Sequence, residues 1–146
     1  MKIALASDHA GFEIKEKVKN FLNEHKYQVV DFGTFSNDSF DYPDSAYPAS
    51  KSVATADSDF GILICGTGTG MAITANKVTG IRAANCINVQ MAEMARSHNN
   101  ANILTMGSRL ISPELALDIV KKFLETDFEG GRHSTRINKI HTLTGG

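Results

Sequence analysis

A cysteine followed by a glycine-rich loop is the feature of this sequence that most clearly indicates chemistry. Cys65 ends an apolar run, and the residues after it read GTGTG before a helical pattern begins. Gly66, Gly68 and Gly70 let the backbone approach a ligand closely, and the first N–H groups of the following helix point to the same place. Such a loop can bind a phosphate or stabilise an oxyanion that forms during a reaction. It also fits a glycine-rich turn that binds nothing.

The thiol could act as a base or a nucleophile, because nearby helix N–H groups favour the thiolate. The alternative is that Cys65 is only a small buried residue at the end of a strand. Cys86, which no glycine loop follows, is interpreted as structural. The glycine spacing matches neither a dinucleotide fingerprint nor a nucleoside-triphosphate loop, which disfavours those ligands.

Two pairs of polar residues could contribute to a site. Asp8 and His9 come directly after an apolar, strand-like run, and His98 and Asn99 end a predicted helix. His98 could be a general acid or base that faces the strand ends, or it could simply terminate the helix.

The C-terminal segment contributes two arginines. Arg132 and Arg136 are four residues apart, so on a helix they share a face near its positive end. They could bind a phosphate or another dianion between them, or they could be solvated surface residues. His133 points elsewhere on the helical wheel and is interpreted as outside this clamp. The spacings typical of metal ligands are absent, so we predict neither a metal nor a cofactor.

Composition and charge set the wider expectations. The chain has 146 residues, 42% hydrophobic and 21% charged, which predicts one globular domain over 1–146. A formal net charge of −1 gives no reason to expect a nucleic acid or membrane partner. The first residues enter a strand pattern before a signal-peptide core could form, which predicts a cytoplasmic protein with free thiols.

Five strands are predicted to alternate with helices. The strands are expected at residues 2–7, 27–33, 60–65, 80–86 and 102–107. The helices are expected at 11–25, 46–56, from the glycine loop to 77, 89–98, 112–126 and 132–143, with Pro48 near the start of the second one. This alternation predicts a parallel sheet covered on both faces. Ligands of such sheets bind beyond the carboxyl ends of the strands, where Asp8 and Cys65 are expected.

Several segments together resemble one known family. They are similar, in order and over nearly the whole chain, to type B ribose-5-phosphate isomerases of the ribose/galactose-6-phosphate isomerase family, and they read SDHAG, DFGT, DYPD, GILICGTGTGMAITANK, GIRAA, SHNNANIL, GSR and GGRHSTR. The resemblance implies a Rossmann-like α/β/α sandwich with a C-terminal helix. It also implies a homodimer or a dimer of dimers with active sites between subunits. The implied reaction interconverts ribose 5-phosphate and ribulose 5-phosphate through a cis-enediolate, as part of pentose phosphate metabolism.

The resemblance also implies roles for single residues. Cys65 would be the base and His98 would open the sugar ring, with Asp8 and Thr67 assisting. The substrate and phosphate contacts would come from Asp8, His9, Gly66, Thr67, Gly68, Thr69, Gly70, Asn99, Arg109, Arg132 and Arg136. Cys65 together with Met71, where some members carry glutamate, places the chain in the cysteine subset.

Other functions remain open. The chain could isomerise a six-carbon sugar phosphate, such as allose or galactose 6-phosphate. It could also bind sugar phosphates without catalysis, although such a module has no need of both Cys65 and His98. Some relatives that act on galactose 6-phosphate divide these motifs between two chains. Because the Asp-His and Cys-Gly-Thr-Gly motifs of one such chain and the His-Asn-Asn and Arg-His-x-x-Arg motifs of the other all occur here, we expect a self-sufficient homo-oligomer.

Overall fold

Five parallel strands form one sheet in the computed structural model, which describes residues 1–146. They are β1 (Lys2–Ser7), β2 (Gln28–Asp31), β3 (Phe60–Cys65), β4 (Ala83–Asn85) and β5 (Ile103–Gly107). Their order is β2-β1-β3-β5-β4, so the chain leaves β1 towards one edge and β3 towards the other. Ligands of such sheets bind where the connections diverge, which here is beyond the ends of β1 and β3.

Six helices accompany the sheet; the first five pack on its two faces and complete the predicted α/β/α sandwich, and the sixth follows at the C-terminus. They are α1 (Phe12–Glu24), α2 (Tyr42–Ala54), α3 (Thr69–Asn76), α4 (Val89–Ser97), α5 (Pro113–Glu125) and α6 (Arg132–Thr144). Alternate residues of β3 serve opposite faces: Ile62 and Ile64 pack with α1, α4 and α5, whereas Leu63 packs with α2 and α3. None of the helices is long and apolar enough to cross a membrane.

Side-chain caps define where two helices begin. The Ser112 hydroxyl accepts the Leu115 N–H at 3.1 Å, and Pro113 occupies the first turn of α5, where its missing N–H costs nothing. The Asn88 side chain accepts the Met91 N–H at 2.8 Å and starts α4. Each cap satisfies an N–H that has no partner within its helix.

Two predicted elements, the second helix and the fourth strand, differ most from the structure in their bounds. Helix α2 begins at Tyr42 rather than at 46, with Pro43 in its first turn, so Pro48 lies inside the helix and not near its start. Strand β4 has three residues rather than the seven of 80–86. Before it, the Asn102 side chain donates to the Gly80 carbonyl and accepts the Arg82 N–H. At these two backbone groups, a side chain replaces the backbone partner that a neighbouring strand would supply.

A buried ion pair supports the end of β1. Lys15 is fully buried in α1, and its Nζ donates to Asp31 Oδ2 at 2.6 Å. The other Asp31 oxygen accepts the Gly33 N–H at 2.9 Å, and the Gly33 carbonyl accepts the Ser7 N–H. Burial opposes ionisation of Asp31, but hydrogen bonds from Lys15 and Lys19 outweigh it and hold its pKa below the usual value. The network thereby positions the backbone immediately before Asp8.

Candidate active site

Cys65 lies at the carboxyl end of β3, where its sulfur meets the glycine loop. The residue is 4% exposed, and Sγ accepts the Gly68 N–H at 3.2 Å. Gly68 precedes α3 with φ +81°, a conformation that favours glycine. A Cβ there would collide with the side-chain oxygen of Asn85. The sulfur therefore lies against a helix N-terminus, where negative charge is stabilised.

Polar side chains cover the other two glycines of the loop. A Cβ on Gly66 would come within 2.8 Å of Arg109 Nη1, so the guanidinium lies directly over that glycine. A Cβ on Gly70 would come within 2.7 Å of the Tyr42 ring. The absence of side chains at these two positions thus brings a cation and a phenol to the thiol loop.

Thr67 and Thr69 form the exposed rim of the loop. Thr67 Oγ1 accepts the Thr69 N–H at 3.3 Å, and the Thr67 carbonyl accepts from Asn85 Nδ2 at 3.3 Å. Asn85 Oδ1 in turn accepts from Thr105 Oγ1 at 3.0 Å. Side chains from the neighbouring strands β4 and β5 therefore hold the loop in place.

Asp8 and His9 lie beside the thiol loop, as predicted. The Asp8 N–H donates to the Ile64 carbonyl at 3.2 Å, and Asp8 Oδ1 accepts the Gly11 N–H at 3.0 Å. Asp8 is 7% exposed. His9 Nδ1 accepts the Phe40 N–H at 3.0 Å, which leaves Nε2 as its free nitrogen.

His98 and Asn99 do not face these strand ends. Arg82, just before β4, donates from Nε to the carbonyls of Asn99, at 3.3 Å, and Asn100, at 3.0 Å. The end of α4 therefore lies on the side of the sheet where the strands begin. We call this side the amino edge, and the side where the strands end, which holds Cys65, the carboxyl edge. β3 alone spans about 20 Å between the two edges. The prediction that His98 faces the carboxyl ends of the strands is therefore wrong for the strands of its own chain.

The start of α6 lies at the same amino edge. The Glu129 N–H donates to the Ser97 carbonyl at 3.1 Å, and the imidazoles of His98 and His133 stack with centroids 4.5 Å apart and planes 9° apart. His133 was expected outside the cluster, but it is buried and contacts His98. Desolvation, followed by the charges of His98 and Arg132, lowers the pKa of His133.

Arg132 and Arg136 are both exposed in the first two turns of α6. Neither takes part in a salt bridge. Two unpaired guanidiniums near a helix N-terminus suit a phosphate, which accepts their paired N–H groups.

The predicted residues thus form two groups at opposite edges of the sheet. The carboxyl-edge group contains Asp8, His9, Cys65, the loop 66–70 and Arg109. The amino-edge group contains His98, Asn99, Arg132 and Arg136.

Sequence reasoning missed the side chains that support each group. Tyr42 and Asn85 pack on the glycine loop, and Glu129 and His133 lie beside His98. For Tyr42 the signal is the DYPD segment, which lies outside the helix expected at 46–56. The stacking of His98 with His133 has no signal in the spacing, because the two come from different helices.

Cys86 lies away from the glycine loop, on the other face of the sheet from the layer that contains Cys65. It is 1% exposed within the apolar layer of α4 and α5. Burial raises its pKa to about 11, so it remains a thiol at neutral pH. Its predicted structural role fits this position.

The fold and site define a doubly wound α/β protein with a thiol at the divergence point of its sheet. The family model for ribose/galactose isomerase matches residues 3–140. The chain belongs to that family, as its motifs predicted.

Similar proteins cover almost the whole chain. Ribose-5-phosphate isomerase B of Escherichia coli is 45% identical over 142 residues, which is 97% of this chain and 95% of that protein. The structure of ribose-5-phosphate isomerase B from Clostridium thermocellum superposes with a TM-score of 0.98 at 50% identity, covering 99% and 98% of the two chains. The enzyme from Mycoplasma genitalium, whose structure contains bound ribulose-5-phosphate, gives 0.94 at 41% identity, covering 99% and 96%.

Proposed function

We propose that this protein interconverts ribose 5-phosphate and ribulose 5-phosphate. The observation that carries the proposal is the Cys65 sulfur held at 3.2 Å by the Gly68 N–H, at the edge of the sheet where such folds bind ligands. The activity named for the E. coli relative and the ribulose-5-phosphate bound to the M. genitalium enzyme support the choice of substrate.

The isomerisation requires a base and a site for negative charge. Removing the C2 proton of the open aldose leaves a cis-enediolate with charge on oxygen. The Cys65 thiolate takes this proton and returns it to C1, while the hydroxyl proton moves from O2 to O1, so the reaction needs neither an electron carrier nor a second substrate. The N–H groups of the glycine loop stabilise the enediolate oxygens, a role in which losing one donor typically costs about 3 kcal/mol.

Ring opening and phosphate binding are assigned to the remaining residues. His98 moves a proton between the ring oxygen and the anomeric hydroxyl before C2 is deprotonated. Arg132 and Arg136, with His9 and Arg109, hold the phosphate away from the reacting carbons. Binding energy from this remote group then fixes the position of the sugar.

We further propose that each active site forms between two chains. His98 and Cys65 lie at opposite edges of one sheet, so a single chain cannot bring them to one sugar. A two-fold axis beside β4 reverses the strand direction and sets the carboxyl edge of one sheet beside the amino edge of the other. Each site would then combine the carboxyl-edge group of one chain with the amino-edge group of its partner.

The surface around β4 supports this arrangement. β4 is an edge strand of the sheet, and unpaired edges are normally covered or blocked. Large apolar side chains on the flanking elements are exposed by 40–58%, namely Ile73, Ile87, Met91 and Met94. A homodimer contact at this surface would bury the edge strand and these apolar side chains.

A coupled assay for ribulose 5-phosphate formation, run with a chelator present, tests the function. We expect turnover of ribose 5-phosphate, and Cys65→Ala should remove most of it. Allose 6-phosphate and galactose 6-phosphate, assayed in parallel, test the six-carbon alternative. Binding of all three sugar phosphates without turnover of any would support a non-catalytic module and contradict the proposal.

A further inference from the structure

Three potential metal ligands meet at the amino edge of the sheet. The ligand atoms of His98, Glu129 and His133 all lie within 4.8 Å of one another. Glu129 Oε2 is 3.5 Å from His133 Nε2 and 4.0 Å from His98 Nε2. Both imidazoles thus direct the same nitrogen towards one carboxylate.

We propose that His98, Glu129 and His133 form a binding site for a divalent transition metal ion such as Zn²⁺. Two imidazoles and a carboxylate are a ligand set that zinc prefers, and they leave a fourth position for water. Bonds of 2.0–2.2 Å in a tetrahedral site would place the ligand atoms about 3.3–3.6 Å apart. The pair formed by Glu129 and His133 already has this spacing.

The other ligand distances must shorten slightly, and the exposed members can move. The side chains of Glu129 and His98 are 60% and 38% exposed, whereas that of His133 is 9% exposed. Because the ring planes are only 9° apart, the nitrogen lone pairs lie in nearly parallel planes, so the His98 ring must rotate to converge on an ion. We therefore expect His133 to be the fixed ligand and the other two to close on the ion.

Charges around the cluster limit how tightly it binds a cation. Desolvation and the charges of His98, Arg132 and Arg136 lower the pKa of His133, whereas Glu129 opposes this. The same two guanidiniums repel a cation. We therefore expect reversible binding, weaker than that of a structural zinc site.

Isothermal titration calorimetry with ZnCl₂ measures metal binding directly and tests the site without any assay of turnover. We expect one ion per wild-type chain. Glu129→Gln and His133→Asn should each weaken binding by at least about tenfold, since loss of even an outer-shell partner costs 10–100-fold. His25→Asn is the matched control, because His25 is exposed at the end of α1 and lies outside the cluster. Unchanged affinity in both cluster variants would overturn the proposal.

The thiols are the competing ligands and need a separate measurement. Co²⁺ substituted for Zn²⁺ gives an intense sulfur-to-metal charge-transfer band only when a thiolate coordinates the ion. We expect no such band at one equivalent, and Cys65→Ser should bind as the wild type does. A charge-transfer band that disappears in Cys65→Ser would place the ion at the thiol loop and contradict the proposal.

A consequence for turnover follows, and it rests on the proposed function. An ion that takes the His98 nitrogen removes the group assigned to ring opening. Zn²⁺ should therefore inhibit the wild-type enzyme reversibly, and Glu129→Gln should resist inhibition by at least about tenfold, in proportion to its lost affinity. If the protein does not turn over sugar phosphates, the calorimetric result still decides the metal site by itself.

Discussion

The backbone N–H of Gly68 points at the sulfur of Cys65, at 3.2 Å. This contact exists because Gly68 adopts φ +81° and closes the loop into α3. It links the conformation of one glycine to the position of the proposed base.

We therefore expect Gly68→Ala to lower both stability and activity. Its Cβ would collide with the Asn85 side chain and approach the Met106 carbonyl carbon within 2.8 Å. Gly80→Ala is the matched control, because Gly80 has φ +86° but open space around it. Gly80→Ala should cost only the backbone strain of about 1–2 kcal/mol, with kcat unchanged. Urea denaturation and kcat of both variants check this, and equal effects would contradict it.

Alkylation should distinguish the two thiols. Iodoacetate is expected to inactivate the enzyme by modifying Cys65, and substrate should protect against it. Cys86, whose pKa is raised to about 11, should not react in the folded protein. Cys65→Ala should lose most of kcat while it still binds substrate, whereas Cys86→Ala should retain near-native kcat. Peptide mass spectrometry locates the label, and a Cys65→Ala enzyme with native kcat would exclude this residue as the base.

His98→Asn should harm cyclic substrates more than open ones. Only a ring-closed sugar phosphate needs the proton transfer between ring oxygen and anomeric hydroxyl. Erythrose 4-phosphate cannot close a furanose ring through its phosphorylated carbon, so it reports on the later steps alone. The ratio of kcat/KM for ribose 5-phosphate to that for erythrose 4-phosphate should fall. An unchanged ratio would assign His98 to the enediolate steps or to structure.

Mixing two inactive variants tests whether sites are shared. Cys65→Ala damages the carboxyl-edge group, and Arg132→Ala/Arg136→Ala damages the amino-edge group. Each homodimer should be nearly inactive. Cys65→Ala lacks the proposed base, and the arginine variant loses charge-assisted phosphate contacts that are worth about 1.5–3 kcal/mol each. After unfolding and refolding together, a mixed dimer has both lesions in one site and a native second site. It should recover about half of the native activity per dimer. No recovery in confirmed mixed dimers would mean that each chain holds its own site.

The buried pair formed by Lys15 and Asp31 should make stability depend on pH. Asp31→Asn leaves the fully buried Lys15 ammonium without its shortest contact, which should cost about 3–5 kcal/mol at pH 7. Asp31 has a lowered pKa when folded, so its contribution is complete above the unfolded pKa of about 3.9 and is lost as the pH falls through the folded value. The difference in unfolding free energy between wild type and Asp31→Asn should therefore shrink between pH 7 and pH 3.

Urea titrations at both pH values measure this difference. Asp38→Asn, at an exposed carboxylate outside any salt bridge, is the control and should have little effect at either pH. A difference that stays constant with pH would contradict the assigned role of Asp31.

The sequence predicted the parallel sheet and the thiol loop because both depend on local patterns. The apolar run before Cys65 and the glycines after it indicate a strand, a turn and a helix without any long-range information. Pro48 was misplaced for a related reason: Pro43 satisfies the rule for a first turn, and the rule alone does not say which proline begins the helix.

The edge on which His98 lies could not be predicted from its spacing. It depends on the direction in which α4 returns across the sheet and on the hydrogen bonds of Arg82 to the end of that helix. The stacking of His98 on His133 depends in turn on where α6 begins. Both are tertiary relationships that no short motif encodes.

The separation of the two groups on one sheet has a genetic consequence. Under the shared-site proposal, a chain with a single lesion spoils one of the two sites when it pairs with a normal chain. A chain that carries both Cys65→Ala and Arg136→Ala spoils both sites, since it gives a defective half to each. Coexpressed with the normal chain, the double variant should behave as a dominant-negative poison subunit, whereas either single variant should remain recessive.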